Sequence, residues 1–286
     1  MNARPKTAGV IGWPIGHSLS PLIHRHWAEQ EGVDAVYLPI LVEPGADNLK
    51  RAVAALRAAG FAGVNVTLPH KEDALKLADT ATALARAIGA ANMLTFQGDR
   101  VHADNSDAPG FAAALEALSF RNGECRALVL GAGGSARAVV HALSQMRDPA
   151  GGEMRIAIAN RHAPRAQDLA RLVGGRAIPW EDRSAALADV DLLINATSLG
   201  MVGEPPLEID LRALGAGAIV ADLVYNPVET ALLRAARARG LRTLDGLEML
   251  MQQATCAYRS WFGAKASVDR ELRLLLEKAL AERARP

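Results

Sequence analysis

The residues of this chain best suited to binding and chemistry are a lysine and the amide and hydroxyl side chains that precede it. They occur in the run Asn65-Val66-Thr67-Leu68-Pro69-His70-Lys71. Apolar and polar residues alternate up to the proline, which predicts a strand that ends there. A helix should begin at Lys71, with acidic residues in its first turn. We therefore expect Asn65, Thr67 and Lys71 at the carboxyl edge of a sheet, where open α/β folds bind ligands.

A carboxylate that could accompany this lysine ends the polar run Asp104-Asn105-Ser106-Asp107. A helix is predicted immediately afterwards, over residues 109–118. Asp107 could therefore be a simple helix N-cap. Lys71 likewise has an ordinary alternative, a solvated lysine on a surface helix, because exposed lysines are the rule. The local pattern alone leaves both alternatives open.

Two serines near the N-terminus form a second candidate binding group. The segment Gly16-His17-Ser18-Leu19-Ser20-Pro21 reads as a loop that leads into a helix extending to about Glu31. Hydroxyls and free amides at a helix N-terminus suit a carboxylate ligand. The alternative is that Ser20 only caps the helix, with Pro21 in the first turn.

Metal binding is not predicted anywhere in the chain. His17, His24 and His26 are the densest group of possible ligands, but the last two point in different directions on a helix. No acid or thiol joins them.

A glycine-rich turn predicts a dinucleotide site in the middle of the chain. Strand residues 127–130 are followed by Gly131, Ala132, Gly133, Gly134, Ser135 and Ala136 at the start of a helix. Gly131 would make the tight turn, Gly133 would admit the pyrophosphate, and Ala136 would allow close packing. A second strand over residues 155–159 completes the expected βαβ unit.

The residues after this second strand favour NADP over NAD. An NAD site usually has an acid there for the ribose 2′-hydroxyl. This chain has Asn160, Arg161, His162 and Arg165 instead. Guanidinium groups suit a 2′-phosphate. Further along, the loop with Thr197, Ser198 and Met201 follows the strand over residues 191–195, where a nicotinamide ring would lie.

These groups require an α/β fold that brings strand ends together. Candidate strands at residues 8–12, 36–42, 64–68, 93–96 and 100–103 alternate with helices, and the same alternation resumes from residue 127 to residue 244. This order predicts two domains with mainly parallel sheets, the second of them Rossmann-like. We expect one helix over residues 80–88, a helix near residues 184–187 and a helix that begins at Asn226-Pro227. Two terminal helices, over residues 246–254 and 267–283, should cross back onto the first domain.

Composition excludes several other functional classes. Apolar residues make up 50% and charged residues 22% of the 286, as in a folded globular protein. A net charge of +1 and 4% aromatic residues give no support to nucleic-acid binding. Cys125 and Cys256 are far apart in sequence. With no apolar run long enough to span a membrane and no signal-peptide block, we expect a reduced, cytoplasmic protein.

The motifs together resemble those of the shikimate dehydrogenase family, over essentially the whole chain. They are Gly16 to Pro21, Asn65 to Lys71, Asp104 to Asp107, Gly131 to Ala136, the Asn195-Ala196-Thr197-Ser198 loop, and Glu248-Met249-Leu250 with Gln253. The resemblance implies two α/β domains with a cleft between them. It also implies NADPH-dependent reduction of 3-dehydroshikimate to shikimate, on the pathway to aromatic amino acids, without a metal.

The resemblance assigns roles residue by residue. Lys71 and Asp107 match the catalytic pair. Ser18 and Ser20 match the residues that hold the substrate carboxylate. Ring-hydroxyl ligands are expected at Asn65, Thr67, Asn92, Asp107 and Gln253, with Tyr225 nearby. Cofactor contacts are expected at Leu223, Gly246 and Met249, in addition to the glycine-rich turn, residues 160–165 and the nicotinamide loop.

The implied domains are residues 1–107 for substrate binding, completed by residues 246–286, and residues 108–245 for the dinucleotide. His162 stands where the family commonly has threonine, which leaves NAD use more open. The alternatives are a quinate/shikimate dehydrogenase and, more remotely, a non-catalytic metabolite or nucleotide sensor. Ser20 favours shikimate over quinate modestly. The assembly is expected to be a monomer or homodimer.

Overall fold

The structure is a computed structural model, and it describes residues 5–118, 125–146 and 154–284. Contacts divide the chain into two compact units. The first contains Met1–Asp107 and Met251–Ala279, and the second contains Ala108–Leu250 and Leu280–Pro286. Residues 246–250 and 280–284, predicted with the first domain, thus group with the second. Of that predicted segment, residues 285–286 lie outside the described part of the chain.

The first unit is built on a mixed sheet flanked by helices. Its N-terminal elements are β1 (Lys6–Gly12), α1 (Ser20–Glu31), β2 (Ala35–Leu41), α2 (Ala46–Ala58), β3 (Gly63–Val66), α3 (Lys71–Leu77), β4 (Thr80–Ala81), α4 (Ala83–Ile88), β5 (Met93–Gln97) and β6 (Arg100–Asp104). The strand order is β2-β1-β3-β5-β6-β4. Strand β5 runs antiparallel to both of its neighbours, and the other pairings are parallel.

One edge of this sheet collects the loops that carry the predicted substrate residues. Ile11 pairs with Val66 near the carboxyl ends of β1 and β3. Met93 begins β5 opposite Asp104, the last residue of β6. Because β5 is antiparallel, its start meets the ends of the other strands. The segments before Ser20, after Val66, before Met93 and after Asp104 therefore emerge on the same side.

The second unit is a parallel sheet in the doubly wound order. Its elements are α5 (Asp107–Ala117), β7 (Cys125–Leu130), α6 (Gly134–Gln145), β8 (Met154–Ala159), α7 (Ala163–Val173), β9 (Arg176–Ile178), β10 (Leu192–Asn195), β11 (Ile219–Asp222), α8 (Ala231–Ala238) and β12 (Arg242–Leu244). The order β12-β11-β10-β7-β8-β9 reverses between β7 and β10. Such a reversal creates the crevice where these folds bind nucleotides.

The C-terminal helices α9 (Gly246–Phe262) and α10 (Arg270–Arg283) follow. As predicted, the segment from residue 251 to residue 279 packs on the first unit. Trp261 Nε1 donates to Thr95 Oγ1 at 3.0 Å, and Trp27 Nε1 donates to the Ser267 carbonyl at 2.8 Å. Both indoles are buried, so they fix this segment with paired polar groups inside an apolar contact.

Three local predictions are wrong. Residues 80–88 form a short strand and then α4, because Thr82 accepts from Ala85 N at 3.1 Å and caps the helix there. The helix expected at Asn226-Pro227 begins only at Ala231, because Thr230 supplies its cap. The helix expected near residues 184–187 is a 3₁₀ segment, Ala185–Asp189.

Within the described residues, no helix has the length and apolarity to cross a membrane.

Candidate active site

Lys71 and Asp107 form a buried ion pair in the first unit. The Nζ–Oδ2 distance is 2.6 Å, and the two side chains are 9% and 7% exposed. Each is the first residue of a helix, α3 and α5 respectively. Neither ordinary alternative therefore describes them: the lysine is not solvated, and the carboxylate is engaged by another side chain. A charged pair shielded from water interacts more strongly than a surface pair.

The backbone around Lys71 is held from two sides. His70, buried at the N-cap of α3, has its Nε2 at 2.8 Å from the Val42 carbonyl after β2. The Lys71 carbonyl accepts from Ala91 N at 2.9 Å. The helix start is thereby tied both to the end of β2 and to the segment before β5, which restricts where the amine can lie.

Asn92 completes the surroundings of the carboxylate. Its Nδ2 donates to Asp107 Oδ1 at 2.8 Å, and its Oδ1 accepts from Ser106 N at 2.7 Å. Ser106 Oγ also donates to Gln253 Oε1 on α9, at 3.2 Å. Asn105 Oδ1 accepts from the Asp107 amide at 3.0 Å. Asn92, Asp107 and Gln253, predicted as ligands of the same substrate, therefore lie in one hydrogen-bonded group with Lys71.

Asn65 is oriented by a tyrosine that the sequence did not reveal. Tyr37 OH donates to Asn65 Oδ1 at 2.7 Å, and Asn65 Nδ2 donates to the Asn92 carbonyl at 3.0 Å. His24 stacks on the Tyr37 ring at 3.8 Å. Burial raises the pKa of Tyr37 well above its usual value. The phenol therefore stays protonated and serves as a donor.

Ser20 is the first residue of α1, and not its N-cap as one alternative held. Leu19 occupies the cap position and makes no side-chain cap bond. The Ser20 hydroxyl instead interacts with Tyr37. Ser18 Oγ accepts from the Ser20 amide at 3.3 Å. The Ser18 hydroxyl thus lies beside the Ser20 amide at this helix start, and such hydroxyls and amides suit a carboxylate. Thr67 is near the same edge, where its amide donates to the Ile11 carbonyl at 2.9 Å.

Among the described residues, the three N-terminal histidines form no group of three or more ligands that could hold a metal ion. His24 is buried with its Nδ1 at 2.9 Å from the Ser20 carbonyl, and burial lowers its pKa to about 4. No group of three or more histidine, cysteine or acidic side chains arranged for a metal ion occurs among the described residues.

The glycine-rich turn of the second unit has the shape a dinucleotide needs. Gly131 has a φ of +110°, and a Cβ there would lie 2.9 Å from the Ala196 carbonyl oxygen. Gly133 has φ −87°, which any residue adopts, and a Cβ there would meet nothing within 4 Å. Gly131 is thus required by the fold, whereas Gly133 leaves open space at the N-terminus of α6. Gly134 and Ser135 follow as the first residues of that helix, with Ala132 buried before them and Ala136 fully buried against the sheet.

The turn after β8 exposes basic side chains. Arg161, His162 and Arg165 are all exposed, and Asn160 Nδ2 donates to the His162 carbonyl at 2.9 Å. This turn contains no acid to pair with a ribose hydroxyl. Exposed guanidinium groups suit a 2′-phosphate.

The loop after β10 is organised by its last strand residue. Asn195 Oδ1 accepts from Thr197 N at 3.1 Å and from Thr197 Oγ1 at 2.7 Å, and its Nδ2 donates to the Leu199 carbonyl at 3.0 Å. Thr197, Ser198 and Met201 are half-buried in this loop. Leu223 follows the neighbouring strand β11, and Gly246 and Met249 begin α9 in the same unit.

Tyr225 differs from the other predicted substrate residues, because it belongs to the second unit. It is half-buried in the segment that follows β11, and desolvation raises its pKa to about 12.

Sequence reasoning missed Tyr37, Ser106 and Asp222. Ser106 lies inside a motif that was singled out, so its polar context was a usable signal. Tyr37 and Asp222 have no such signal for their distant partners. Asn65 lies two strands away from Tyr37 in the sheet, and Asn195 lies on the strand next to Asp222. Asp222 ends β11 and is 1% exposed.

Comparisons with known proteins agree with this geometry. The family model "Shikimate dehydrogenase substrate binding domain" matches residues 10–94, and the model "Shikimate / quinate 5-dehydrogenase" matches residues 114–201. The shikimate dehydrogenase (NADP(+)) of Rhodopseudomonas palustris strain TIE-1 is 49% identical over 284 residues, covering 98% of this chain and 99% of that protein.

Solved structures show the same similarity. Shikimate 5-dehydrogenase from Thermus thermophilus, in complex with NADP(H) and shikimate, has a TM-score of 0.81 and 35% identity, over 97% of this chain and 99% of that one. Quinate dehydrogenase from Corynebacterium glutamicum, in complex with NAD, has a TM-score of 0.82 and 29% identity, over 97% of this chain and 99% of that one.

Proposed function

This chain belongs to the shikimate dehydrogenase family, and we propose that it is an NADP-dependent shikimate dehydrogenase. It catalyses the reversible reduction of 3-dehydroshikimate to shikimate. The observation that carries this proposal is the buried Lys71–Asp107 pair, with its 2.6 Å Nζ–Oδ2 contact, among amide and hydroxyl groups suited to a polyhydroxylated ring.

The two units have separate roles in this proposal. Residues 1–107, with the returning C-terminal helices, bind the substrate, and residues 108–245 bind the dinucleotide. Ser18 and Ser20 hold the substrate carboxylate at the start of α1. The ring hydroxyls bind Asn65, Thr67, Asn92, Asp107 and Gln253. Tyr225 remains a substrate residue predicted from the family resemblance.

The second unit suits NADP on two grounds. The open space at Gly133 allows a pyrophosphate to approach the N-terminus of α6. The exposed basic turn that contains Arg161 favours a 2′-phosphate over a free hydroxyl. Thr197, Ser198, Met201, Leu223, Gly246 and Met249 line the nicotinamide half. When bound, the reduced nicotinamide supplies the hydride.

Lys71 and Asp107 handle the proton. As the carbonyl is reduced, negative charge develops on its oxygen, and Lys71 Nζ donates a proton or stabilises the charge directly. Asp107 Oδ2 keeps the amine in place through the 2.6 Å contact. Asn92 Nδ2 holds the other carboxylate oxygen at 2.8 Å and so prevents the carboxyl group from rotating away. In the reverse direction, Lys71 accepts the proton of the hydroxyl that is oxidised.

A stoichiometric assay tests this function. The purified protein, mixed with 3-dehydroshikimate and NADPH, should consume one NADPH per shikimate formed, with shikimate identified by chromatography against a standard. NADPH consumption without shikimate, or no consumption at all, would overturn the proposal.

The alternative function is a quinate/shikimate dehydrogenase that also uses NAD. It has two specific supports, the similarity to a quinate dehydrogenase with bound NAD and the presence of His162 in the cofactor turn. A non-catalytic sensor is disfavoured, because it would have no use for an intact proton-handling pair.

A monomeric or homodimeric assembly and a cytoplasmic location remain predictions from the sequence.

A further inference from the structure

Asp222 is a buried carboxylate that the proposed mechanism does not use. Its Oδ1 accepts from Asn195 Nδ2 at 2.9 Å and from Val224 N at 3.1 Å. Its Oδ2 accepts from Thr230 Oγ1 at 2.7 Å. The side chain is 1% exposed, so three donors converge on it without access to bulk water.

The three donors come from three separate segments. Asn195 ends β10 and organises the loop that contains Thr197 and Leu199. Val224 lies in the segment that leaves β11, immediately after Leu223. Thr230 caps α8 by accepting from Leu233 N at 3.3 Å. One carboxylate therefore joins the two loops assigned to the nicotinamide half of the site and the helix that follows them.

The segment after β11 is also approached closely by Gly246 at the start of α9. A Cβ placed at Gly246 would lie 2.3 Å from the Leu223 carbonyl oxygen and 2.8 Å from the Val224 carbonyl carbon. Gly246 is thus in close backbone contact with this segment. Asp222 fixes the segment through Val224 N, and Gly246 limits its displacement.

We propose that Asp222 is a positioning residue for the nicotinamide end of the cofactor, acting through Asn195 and Val224. It contacts neither substrate nor nicotinamide. Its acceptor oxygens set where the loop with Thr197 to Met201 and the segment with Leu223 lie. Among the contacts of the described residues, neither the turn at Gly131 and Gly133 nor the basic turn near Arg161 has a hydrogen bond to Asp222. The adenosine half of the cofactor site should therefore not depend on it.

The different dependence of the two halves of the cofactor site on Asp222 can be tested. A residue with only a structural role would affect both halves equally. Asp222→Ala removes all three acceptor contacts, whereas Asp222→Asn retains the size and one carbonyl oxygen for Asn195 and Val224. Binding of 2′,5′-ADP reports on the adenosine half, and binding of whole NADP reports on both halves. Asp189→Asn is the matched control, because Asp189 is 77% exposed and pairs only with the exposed Arg126, at 3.0 Å, among the contacts described.

For Asp222→Ala we expect a kcat about 100-fold lower, since a displacement of about 1 Å in positioning groups has costs of this order. NADP should bind roughly tenfold more weakly, and 2′,5′-ADP should bind as in the wild-type protein. Asp222→Asn should recover most of the kcat. Equal weakening of NADP and 2′,5′-ADP would overturn the proposal, and so would an unchanged kcat.

A second substitution covers the case in which Asp222→Ala does not fold. Thr230→Val removes one donor, whereas Thr230→Ser keeps the hydroxyl. The valine variant should have a lower kcat and unchanged binding of 2′,5′-ADP. The serine variant should keep the wild-type kcat. Identical kcat values for the two variants would contradict the proposal. Since the inference rests on the proposed function, wild-type activity is measured first. If the wild-type protein does not oxidise shikimate, the proposed function is wrong. The binding of NADP and of 2′,5′-ADP then still tests the positioning role of Asp222.

Discussion

Replacement of Lys71 by alanine should separate catalysis from binding. The variant loses the proton donor and leaves Asp107 buried, with Asn92 Nδ2 still donating to Oδ1 at 2.8 Å. A positioned acid–base group contributes roughly 10²–10⁴ to the rate. This factor corresponds to about 3–5 kcal/mol in the activation free energy. We expect kcat to fall by that factor while the KM for shikimate changes only a few-fold, because Asn65, Thr67 and the serine pair still bind the ring and its carboxylate.

The same substitution should also lower stability. Removal of one partner from a buried ion pair typically costs about 3–5 kcal/mol, because the remaining charge is left in a poorly hydrated site. Asp107→Asn in the Lys71→Ala background should restore part of this loss without restoring kcat. Chemical denaturation of the wild-type, single and double variants measures the difference.

Lys76→Ala provides the matched control on the same helix. Lys76 is 73% exposed and pairs with Asp73 at 3.1 Å, three residues before it. Its loss should change neither kcat nor stability by a measurable amount, since exposed pairs contribute about 0–1 kcal/mol. Initial rates at saturating shikimate and NADP, with thermal unfolding of each variant, provide the comparison. A Lys71→Ala enzyme with near-wild-type kcat would refute the assignment of Lys71 as proton donor.

Five other positions give further expected outcomes. Arg161→Ala should weaken NADP at least about tenfold and NAD little, since a charged hydrogen bond contributes about 1.5–3 kcal/mol; equal losses in a binding titration would contradict the 2′-phosphate assignment. Gly133→Ala should fold normally yet bind NADP poorly, because the added methyl group occupies open space that the pyrophosphate needs. By contrast, Gly131→Ala should be less stable by roughly 1–3 kcal/mol, because a side chain is strained at a φ of +110°. If instead Gly133→Ala lost stability and Gly131→Ala lost only NADP binding, the roles assigned to the two glycines would be wrong. Ser20→Ala should raise the KM for shikimate by roughly tenfold with kcat nearly unchanged, and an unchanged KM would exclude it from carboxylate binding. Burial raises the pKa of Asp222 from 3.8 to about 6, so the folded state favours its protonated form. The stabilisation of the folded state by this protonation is fully present below about pH 4 and is lost as the pH rises through 6. The free energy of unfolding of the wild-type protein, relative to that of Asp222→Asn, should therefore fall by about 3 kcal/mol between those pH values. A difference that stays constant with pH in urea unfolding would contradict this prediction.

Local sequence signals were sufficient for the glycine-rich turn of the second unit. The glycine-rich turn predicted Gly131 as the obligatory turn residue and Gly133 as the point of approach, and the structure places a positive φ at the first and open space at the second. Both properties depend on residues adjacent in sequence. The doubly wound strand order follows from the same βαβ pattern.

The first unit contains features that local sequence signals do not predict. Lys71 looked like either a surface lysine or part of a ligand site, and its burial against Asp107 depends on the pairing of β3, β5 and β6. Ser20 was open to a capping role because serine is a common cap, but its hydroxyl is engaged by Tyr37 on the neighbouring strand. Tyr37 itself was not predicted as a site residue, because nothing in its own segment indicates that its hydroxyl lies 2.7 Å from Asn65 Oδ1.

Helix starts were predicted poorly for a related reason. Thr82 and Thr230 each cap a helix that begins later than the apolar pattern suggested. Threonine is common in both strands and caps, so its role is decided by which backbone amides are unpaired nearby. Thr230 also donates to Asp222, a partner eight residues away that no cap pattern includes.

The central claim is tested most directly by kcat/KM values for shikimate and quinate, each measured with NADP and with NAD. The account predicts that shikimate with NADP has the highest value of the four, with the cofactor preference reduced in Arg161→Ala. A higher kcat/KM for quinate with NAD would contradict the account and assign the chain to the quinate-using branch of the family.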